Sequence, residues 1–458
     1  MQLIKKIASF LVAIFLVETV FAFLLEPVTF EHFLAFDERS MNKGGQEAEL
    51  TFFGDSRSIR SYDSVTIDKE MGTTINGVMN EGVNQQHLLS TYYYMKDYFK
   101  HHDLKMAVVN LNYDYFLAET TEPFEAKGLT YDRIESISGM AEFVWERFSP
   151  KEYPDIIKSY RYRWQVKNIP LNVKSKLTRE YWTGIDKRSD IHYVKNGFVT
   201  WDLTYAQGNT GTPAGCIPWS EADSNEEAFA VLDKIAALGK EYDVQIVFVE
   251  SPVTMGRLYA LDGYGDFEKK LTEKCDSLNV PFYNLNLLKQ ENVSMDDTSF
   301  SDTEHLNETG AKKVSRILAD ILVEAVKAGS PENKAEEFYA SFEEMNKELP
   351  QIGACDLEII SEGEGKSQDV ETEQTAGMNN TLTLQATSFA APSITPLYQF
   401  SYSTDNGSTF EILQEYEECD HLILPGEYAV ENALFKVETK PKEGQDLHHC
   451  YMIRSINE

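Results

Sequence analysis

The chain has 458 residues, 42% of them hydrophobic and 12% aromatic, enough material for two or three domains with large cores. Asp and Glu number 74 against 42 Lys and Arg, a formal net charge of −32. That balance argues against a nucleic-acid binder, because phosphate backbones are gripped by clustered cations.

Lys5 and Lys6 precede a 19-residue apolar run, Ile7 to Leu25, interrupted by Glu18 and Thr19. As a helix this run is long enough to span a bilayer. Lysines before it, with Glu26 and Glu31 after it, predict an N-terminus inside and the bulk of the chain outside. The rival reading is a cleaved signal peptide ending near Val20-Phe21-Ala22. The run continues past that point, which favours an uncleaved anchor over residues 1–25. Residues 26–48 are expected to be a membrane-proximal stalk.

Five apolar runs then read as strands: 50–53, 74–79, 105–111, 244–249 and 280–283. Helical patterns cover 84–100, 225–242 and 267–278, and a closing helix is expected over 308–327. Alternating strands and helices predict an α/β domain over 49–328, a doubly wound parallel sheet with right-handed crossovers. Ligands bind such sheets beyond the C-terminal ends of the strands. A helical insertion is expected at 118–222, where 151–200 holds eleven Lys and Arg against five Asp and Glu. Its aromatics, among them Tyr160, Tyr162, Trp164, Tyr181 and Trp182, fit either sugar and anionic head-group binding or an ordinary amphipathic cap over the sheet. Residues 329–375 read as an exposed acidic helix and a Glu/Gly/Ser/Gln-rich linker. From 376 to 458, short alternating strands around the Asp405-Asn406-Gly407 turn predict a small β-sandwich.

Two motifs carry chemistry. Phe53-Gly54-Asp55-Ser56-Arg57-Ser58 displays a serine on a turn straight after the first strand. Some 250 residues later, Asp302-Thr303-Glu304-His305-Leu306-Asn307 stands ahead of the closing helix. A serine hydroxyl needs a base to become a nucleophile. His305 fits that role, and Asp302, three residues earlier, fits the group that fixes its tautomer and stabilises the imidazolium. Developing negative charge on an acyl oxygen needs preorganised donors, and the Ser56 backbone N–H is one candidate.

Together these blocks resemble the SGNH/GDSL hydrolase superfamily, whose flavodoxin-like three-layer fold matches the predicted alternation. The resemblance covers about residues 46–328. It implies a catalytic set of Ser56, Asp302 and His305. It also implies two further oxyanion blocks. Met79-Asn80-Glu81-Gly82-Val83-Asn84-Gln85-Gln86 is similar to the second, with Gln85 where a glycine usually stands; a positive φ is harder for glutamine. Asn110-Leu111-Asn112-Tyr113-Asp114 occupies the place of the third, with Asp114 at the asparagine position and Asn112 two residues before it. An ionised Asp cannot donate, so either Asn112 serves, or Asp114 plays another role, or the oxyanion hole is incomplete. Arg57 and Asn84 are the expected substrate-binding residues, with a turn-anchoring salt bridge as the alternative for Arg57. An anchor ahead of Gly-Asp-Ser and a large insertion look like the membrane-anchored DltD- and AlgX/AlgJ-type branch, which works beside membrane-bound O-acyltransferases in bacterial envelopes.

Other chemistries lack their motifs. There is no His-Glu-x-x-His, no phosphate-binding Gly-rich loop and no dinucleotide fingerprint. The adjacent pairs His101-His102 and His448-His449 lack ligand spacing, so neither a metal nor a cofactor is expected. Cys216, Cys275, Cys355, Cys419 and Cys450 form no Cys-x-x-Cys pair, and one bridge among the last three is compatible with their spacing. Tyr398, Phe400, Tyr402 and Tyr428 are similar to the pattern of triple-tyrosine, fibronectin-like modules. The sequence therefore predicts a serine esterase or O-acyltransferase acting on cell-envelope or exported polysaccharide. Its competitor is an inactive protein of the same fold that binds glycan or a membrane acyltransferase.

Overall fold

The computed structural model describes residues 2–44, 47–118, 121–188, 191–205, 218–289, 295–328, 336–362, 381–430, 432–443 and 450–456. Cys216, the His448-His449 pair and nearly all of the expected linker lie outside them.

In chain order the strands of the first domain are β1 (Leu50–Phe53), β2 (Val78–Asn80), β3 (Met106–Leu111), the antiparallel hairpin β4 (Ile191–Lys195) and β5 (Phe198–Trp201), then β6 (Gln245–Glu250) and β7 (Phe282–Asn284). The main sheet has the order β2-β1-β3-β6-β7, and each pair in it is parallel. Because side chains alternate along a strand, each strand feeds two cores. Phe53, Val109 and Phe248 pack under the helices Leu88–Tyr98, Glu226–Tyr242 and Tyr264–Leu278. Phe52, Val108, Val247 and Val249 pack under Ser64–Met71 and Glu308–Ala328 through Ile67, Met71, Val314 and Leu318. The result is the expected three-layer doubly wound α/β sheet. The strand order reverses between β1 and β3, and the Ser56 turn leaves β1 at that switch point.

The apolar N-terminus forms the helix Gln2–Leu25, within which Lys5–Leu25 has the length and hydropathy of a membrane span or a signal sequence. The next segment differs from the expected stalk. It is a second helix, Phe30–Gly44, whose Phe30, Phe33 and Leu34 pack with Ile59, Met79 and Tyr193. The apolar positions recur at helical spacing on one face only, which gives that helix a partner on the domain rather than a free run.

The insertion contains the helices Phe124–Arg133, Ile137–Arg147, Lys158–Arg161, Ile169–Lys176 and Arg179–Thr183, and also the β4–β5 hairpin, which the helical expectation did not include. The hairpin turn sits on the end of β2: the Asn80 N–H donates to the Asn196 carbonyl at 2.9 Å. Gly197 is required there. Its φ is +86°, and a Cβ would lie 1.8 Å from the Asn80 carbonyl oxygen.

The C-terminal module is built from β8 (Ile352–Glu362), β9 (Thr381–Ala390), β10 (Pro396–Ser403), β11 (Glu411–Glu417), β12 (His421–Pro425), β13 (Leu434–Pro441) and β14 (Cys450–Ser455). These form two antiparallel sheets, β12-β9-β8 and β11-β10-β13-β14, around Leu357, Leu384, Phe400, Phe435 and Val437. The sandwich thus begins in the segment expected to be helix and linker. Cys355 and Leu357 are buried in the core while Asp356 and Glu358 alternate with them on the outer face, a strand alternation hidden by the acidic composition. The acidic helix, Phe342–Glu348, is shorter than expected and not free. Met345 is buried in the core of the first domain and the Phe342 ring meets Tyr264 edge-on at 5.0 Å. Cys355, Cys419 and Cys450 are free thiols, so the bridge their spacing allowed is not formed.

Candidate active site

The turn after β1 is set by Gly54, at φ +145°, where a Cβ would lie 2.8 Å from the Asn110 Cβ on β3. A larger residue would push the two strand ends apart. Asp55 caps the short helix Ser56–Ser61, accepting from the Arg57 N–H at 3.0 Å. Asn80, at the end of β2, clamps that helix by donating to the carbonyls of Ser58 (2.8 Å) and Tyr62 (3.3 Å). The serine is therefore presented by a turn tied to both neighbouring strands.

At the other end of the domain, Asn307 accepts from the Gly310 N–H at 3.1 Å and so opens the closing helix. The Asp302–His305 loop sits immediately before it. Ser56 Oγ lies 2.8 Å from His305 Nε2. His305 Nδ1 lies 3.0 and 2.9 Å from the two Asp302 oxygens. The backbone N–H groups of Glu304 and His305 each donate to Asp302 Oδ1 at 2.8 Å. Burial alone would raise the Asp302 carboxyl, but the His305 hydrogen bond and charge and these two N–H groups outweigh it and hold its pKa below the ordinary value. An ionised Asp302 facing Nδ1 leaves Nε2 free to accept from the serine.

On the far side of Ser56 the expected oxyanion residues divide. Gln85 adopts φ +58°, the left-handed conformation a glycine would take there. The Val83 N–H donates to the Gly54 carbonyl at 2.9 Å, which lays this loop alongside the nucleophile turn. Asn84 is half-buried and Gln85 exposed on that loop. Asn112 is buried, with its amide nitrogen donating to Asp55 and its oxygen accepting from the Tyr115 N–H at 3.2 Å. Its amide thus holds the residue preceding Ser56. Asp114 does not sit as a donor. Its carboxylate accepts from Arg57 Nη2 at 2.9 Å and lies 3.7 Å from Arg257.

Arg57 is also 3.2 Å from Glu304, and Arg257 is 2.8 Å from the same carboxylate. The two arginines and two carboxylates form a neutral cluster beside Ser56. Burial alone would lower the Arg57 pKa, but Glu304, Asp114 and Asp55 raise it above its ordinary value. The salt-bridged alternative for Arg57 is therefore the one found, and its guanidinium is not presented alone to a ligand. Beneath the cluster, Glu250 at the end of β6 is buried and accepts from the Tyr264 hydroxyl at 2.9 Å. Burial pushes its carboxyl up to about 8.

Two contacts to the triad come from residues that the motifs do not mark. Trp201, at the tip of β5, meets the His305 ring edge-on at 6.5 Å. Arg60 stacks over Trp201 at 4.0 Å and lies 3.9 Å from Asp302. Glu304 stood inside the Asp-x-x-His block, its acidic side chain the only hint. Among the described residues no group of His, Cys, Asp and Glu has the geometry of a metal site.

No family model matches the chain and no curated protein matches it. Among solved structures, it is similar to a Bacteroides fragilis protein assigned as an acylhydrolase, at 8% identity and a TM-score of 0.29, with 61% of this chain and 86% of that one covered. It is also similar to a GDSL-like lipase from Bacteroides thetaiotaomicron, at 10% identity and a TM-score of 0.30, covering 65% and 99% respectively. The reading of the site rests on the side-chain positions, not on these likenesses.

Proposed function

We propose that the protein is a membrane-anchored, extracytoplasmic serine acyl enzyme of the SGNH/GDSL type, acting on cell-envelope or exported polysaccharide. The observation that carries it is the continuous line Ser56 Oγ, His305 Nε2, His305 Nδ1, Asp302, with every step between 2.8 and 3.0 Å. Ser56 attacks the carbonyl carbon of an ester while its proton passes to Nε2. The tetrahedral oxyanion is met by the backbone N–H groups of Ser56 and Gln85. His305 then gives the proton to the departing alkoxide, leaving an acyl-serine. Water or a sugar hydroxyl, deprotonated by His305, releases the acyl group. Transfer to a sugar is favoured over hydrolysis because an anchored enzyme works at high effective concentration beside a membrane acyl donor, such as a membrane-bound O-acyltransferase.

The test is p-nitrophenol release from p-nitrophenyl acetate by the full chain in detergent, with Ser56→Ala alongside. The expected result is a rate at least ~10³-fold above the variant and covalent capture of Ser56 by a fluorophosphonate. Acyl appearing on an added oligosaccharide identifies transfer. The competing reading, a glycan- or partner-binding protein without turnover, is favoured by one observation: Asp114 stands salt-bridged where a side-chain donor is expected. No Ser56-dependent turnover and no capture would make that reading the correct one.

A further inference from the structure

The insertion grips the outer end of the N-terminal helix. Glu18 is the one ionisable side chain between Ile7 and Leu25. Its carboxylate accepts from the Ser159 N–H at 2.9 Å and from the Ser159 hydroxyl. Asn172 donates to the carbonyls of Leu25 (2.8 Å) and Leu24 (3.3 Å). Lys176 Nζ donates to the Glu26 carbonyl at 2.6 Å, and Lys158 pairs with the Glu26 carboxylate at 2.9 Å. The last carbonyls of a helix have no partner within it. In water they need none from protein, whereas in a bilayer an unpaired one is strongly disfavoured. Here they are capped by side chains from 147 or more residues away. Glu18 lies seven residues below Leu25, about 10 Å along the helix axis, so Ser159 reaches that depth as well.

The same segment carries large apolar side chains turned away from the protein: Ile157, Trp164, Val166, Leu171, Leu177 and Trp182, with Trp164 77% and Leu177 74% exposed. Lysines and arginines alternate with them, including Lys167, Lys174 and Arg179, in a chain of net charge −32. Tryptophan and leucine beside basic residues suit a lipid interface, where rings and stems enter the acyl boundary and cations meet anionic head groups.

We infer that residues 157–182 form a monotopic membrane element, seated in the leaflet at the C-terminal end of the anchor helix, with phospholipid as its partner. The inference rests on the anchored reading proposed above. It gives the catalytic domain a second attachment beside its tether, so that the triad is held at one height and orientation over the bilayer.

The anchor helix contains no tryptophan, so quenching by brominated acyl chains reports on the rest of the chain alone. The full chain is placed in nanodiscs of phosphatidylcholine and phosphatidylglycerol, with and without bromine on the acyl chains. Bromination is expected to remove roughly two fifths of the tryptophan emission, since Trp164 and Trp182 are two of five. Trp164→Phe/Trp182→Phe should abolish that difference and leave the circular dichroism unchanged. Equal emission in both discs, or quenching that persists in the double variant, overturns the proposal. If cross-linking then traps dimers, the patch faces a second copy. Intact mass separates the underlying reading: a mature chain lacking its first 22 residues overturns the anchored reading, whereas an intact chain without bromine quenching overturns the membrane element alone.

Discussion

The two sides of Ser56 are built on opposite principles. Towards His305 the groups form a line with one movable proton at each step, closed by a single carboxylate that keeps its charge through His305 and two backbone donors. Towards Arg57 the charges are cancelled in place: two arginines against Asp114 and Glu304, with a protonated Glu250 below. The first arrangement can move a proton. The second can only hold shape, because each charge already has its opposite within 4 Å. A nucleophile on a turn needs both, one side to activate the hydroxyl and the other to keep it aimed.

Asp302→Asn tests the first side most severely. An amide there presents the wrong donor to Nδ1 and favours the tautomer that cannot accept from Ser56. The Ser56-dependent rate should fall by ~10²–10⁴, with little change in the melting temperature, as the two backbone N–H groups can still bond to the amide oxygen. A drop in stability as large as the drop in rate would show that Asp302 is part of the scaffold and would erase the distinction between the sides.

Arg57→Met should do the reverse. It leaves Asp114 and Glu304 short of a cation. Their side chains are 34% and 27% exposed, so water recovers part of the loss. The expected cost is about 2 kcal/mol, below the ~3–5 kcal/mol for breaking a fully buried pair, read from thermal or urea unfolding. Any remaining turnover should still depend on Ser56.

The motifs made the first side legible and left the second dark for a physical reason. Ser56, Asp302 and His305 lie at strand ends flagged by turn residues and a helix start, so local pattern locates them. Arg257 stands on the short helix Met255–Ala260, far in sequence from either motif, and Trp201 arrives on the β4–β5 hairpin; both reach the site only through tertiary packing. The same limit explains the segments that differ. Near-continuous apolar runs betrayed β1, β3 and β6. Thr74 to Gly77 precede rather than belong to β2, whose last residue, Asn80, is polar because it clamps the Ser56 helix. The acidic composition around 352–362 masked a sandwich strand, and the helix 30–44 showed its amphipathic face only against Met79 and Tyr193.

Glu250 adds a pH signature to the second side. Its carboxyl keeps a proton in the fold up to about 8, against 4.5 ordinarily. In the unfolded chain that proton leaves near 4.5. Stability from this group is therefore full below 4.5, declines as pH rises towards 8, and is flat above. Glu250→Gln keeps an acceptor for Tyr264 and cannot ionise. Its melting temperature should change less between pH 5 and 8 than that of the unmodified protein, and at pH 9 the variant should be more stable by on the order of 2–4 kcal/mol. Parallel pH profiles for the two proteins would show that Glu250 ionises freely in the fold.

Gln85 stands on the loop that the Val83 N–H lays against the Ser56 turn, and its effect should be the smallest. A non-glycine residue at φ +58° costs roughly 1 kcal/mol relative to glycine. Gln85→Gly should recover a few tenths of that, because the looser unfolded chain offsets part of the gain. If the backbone N–H is the working group, turnover should stay within about twofold, since glycine keeps that donor. A loss of tenfold or more in Gln85→Gly would assign the contribution to the glutamine side chain, and the proton line would then depend on a group from the side that holds shape.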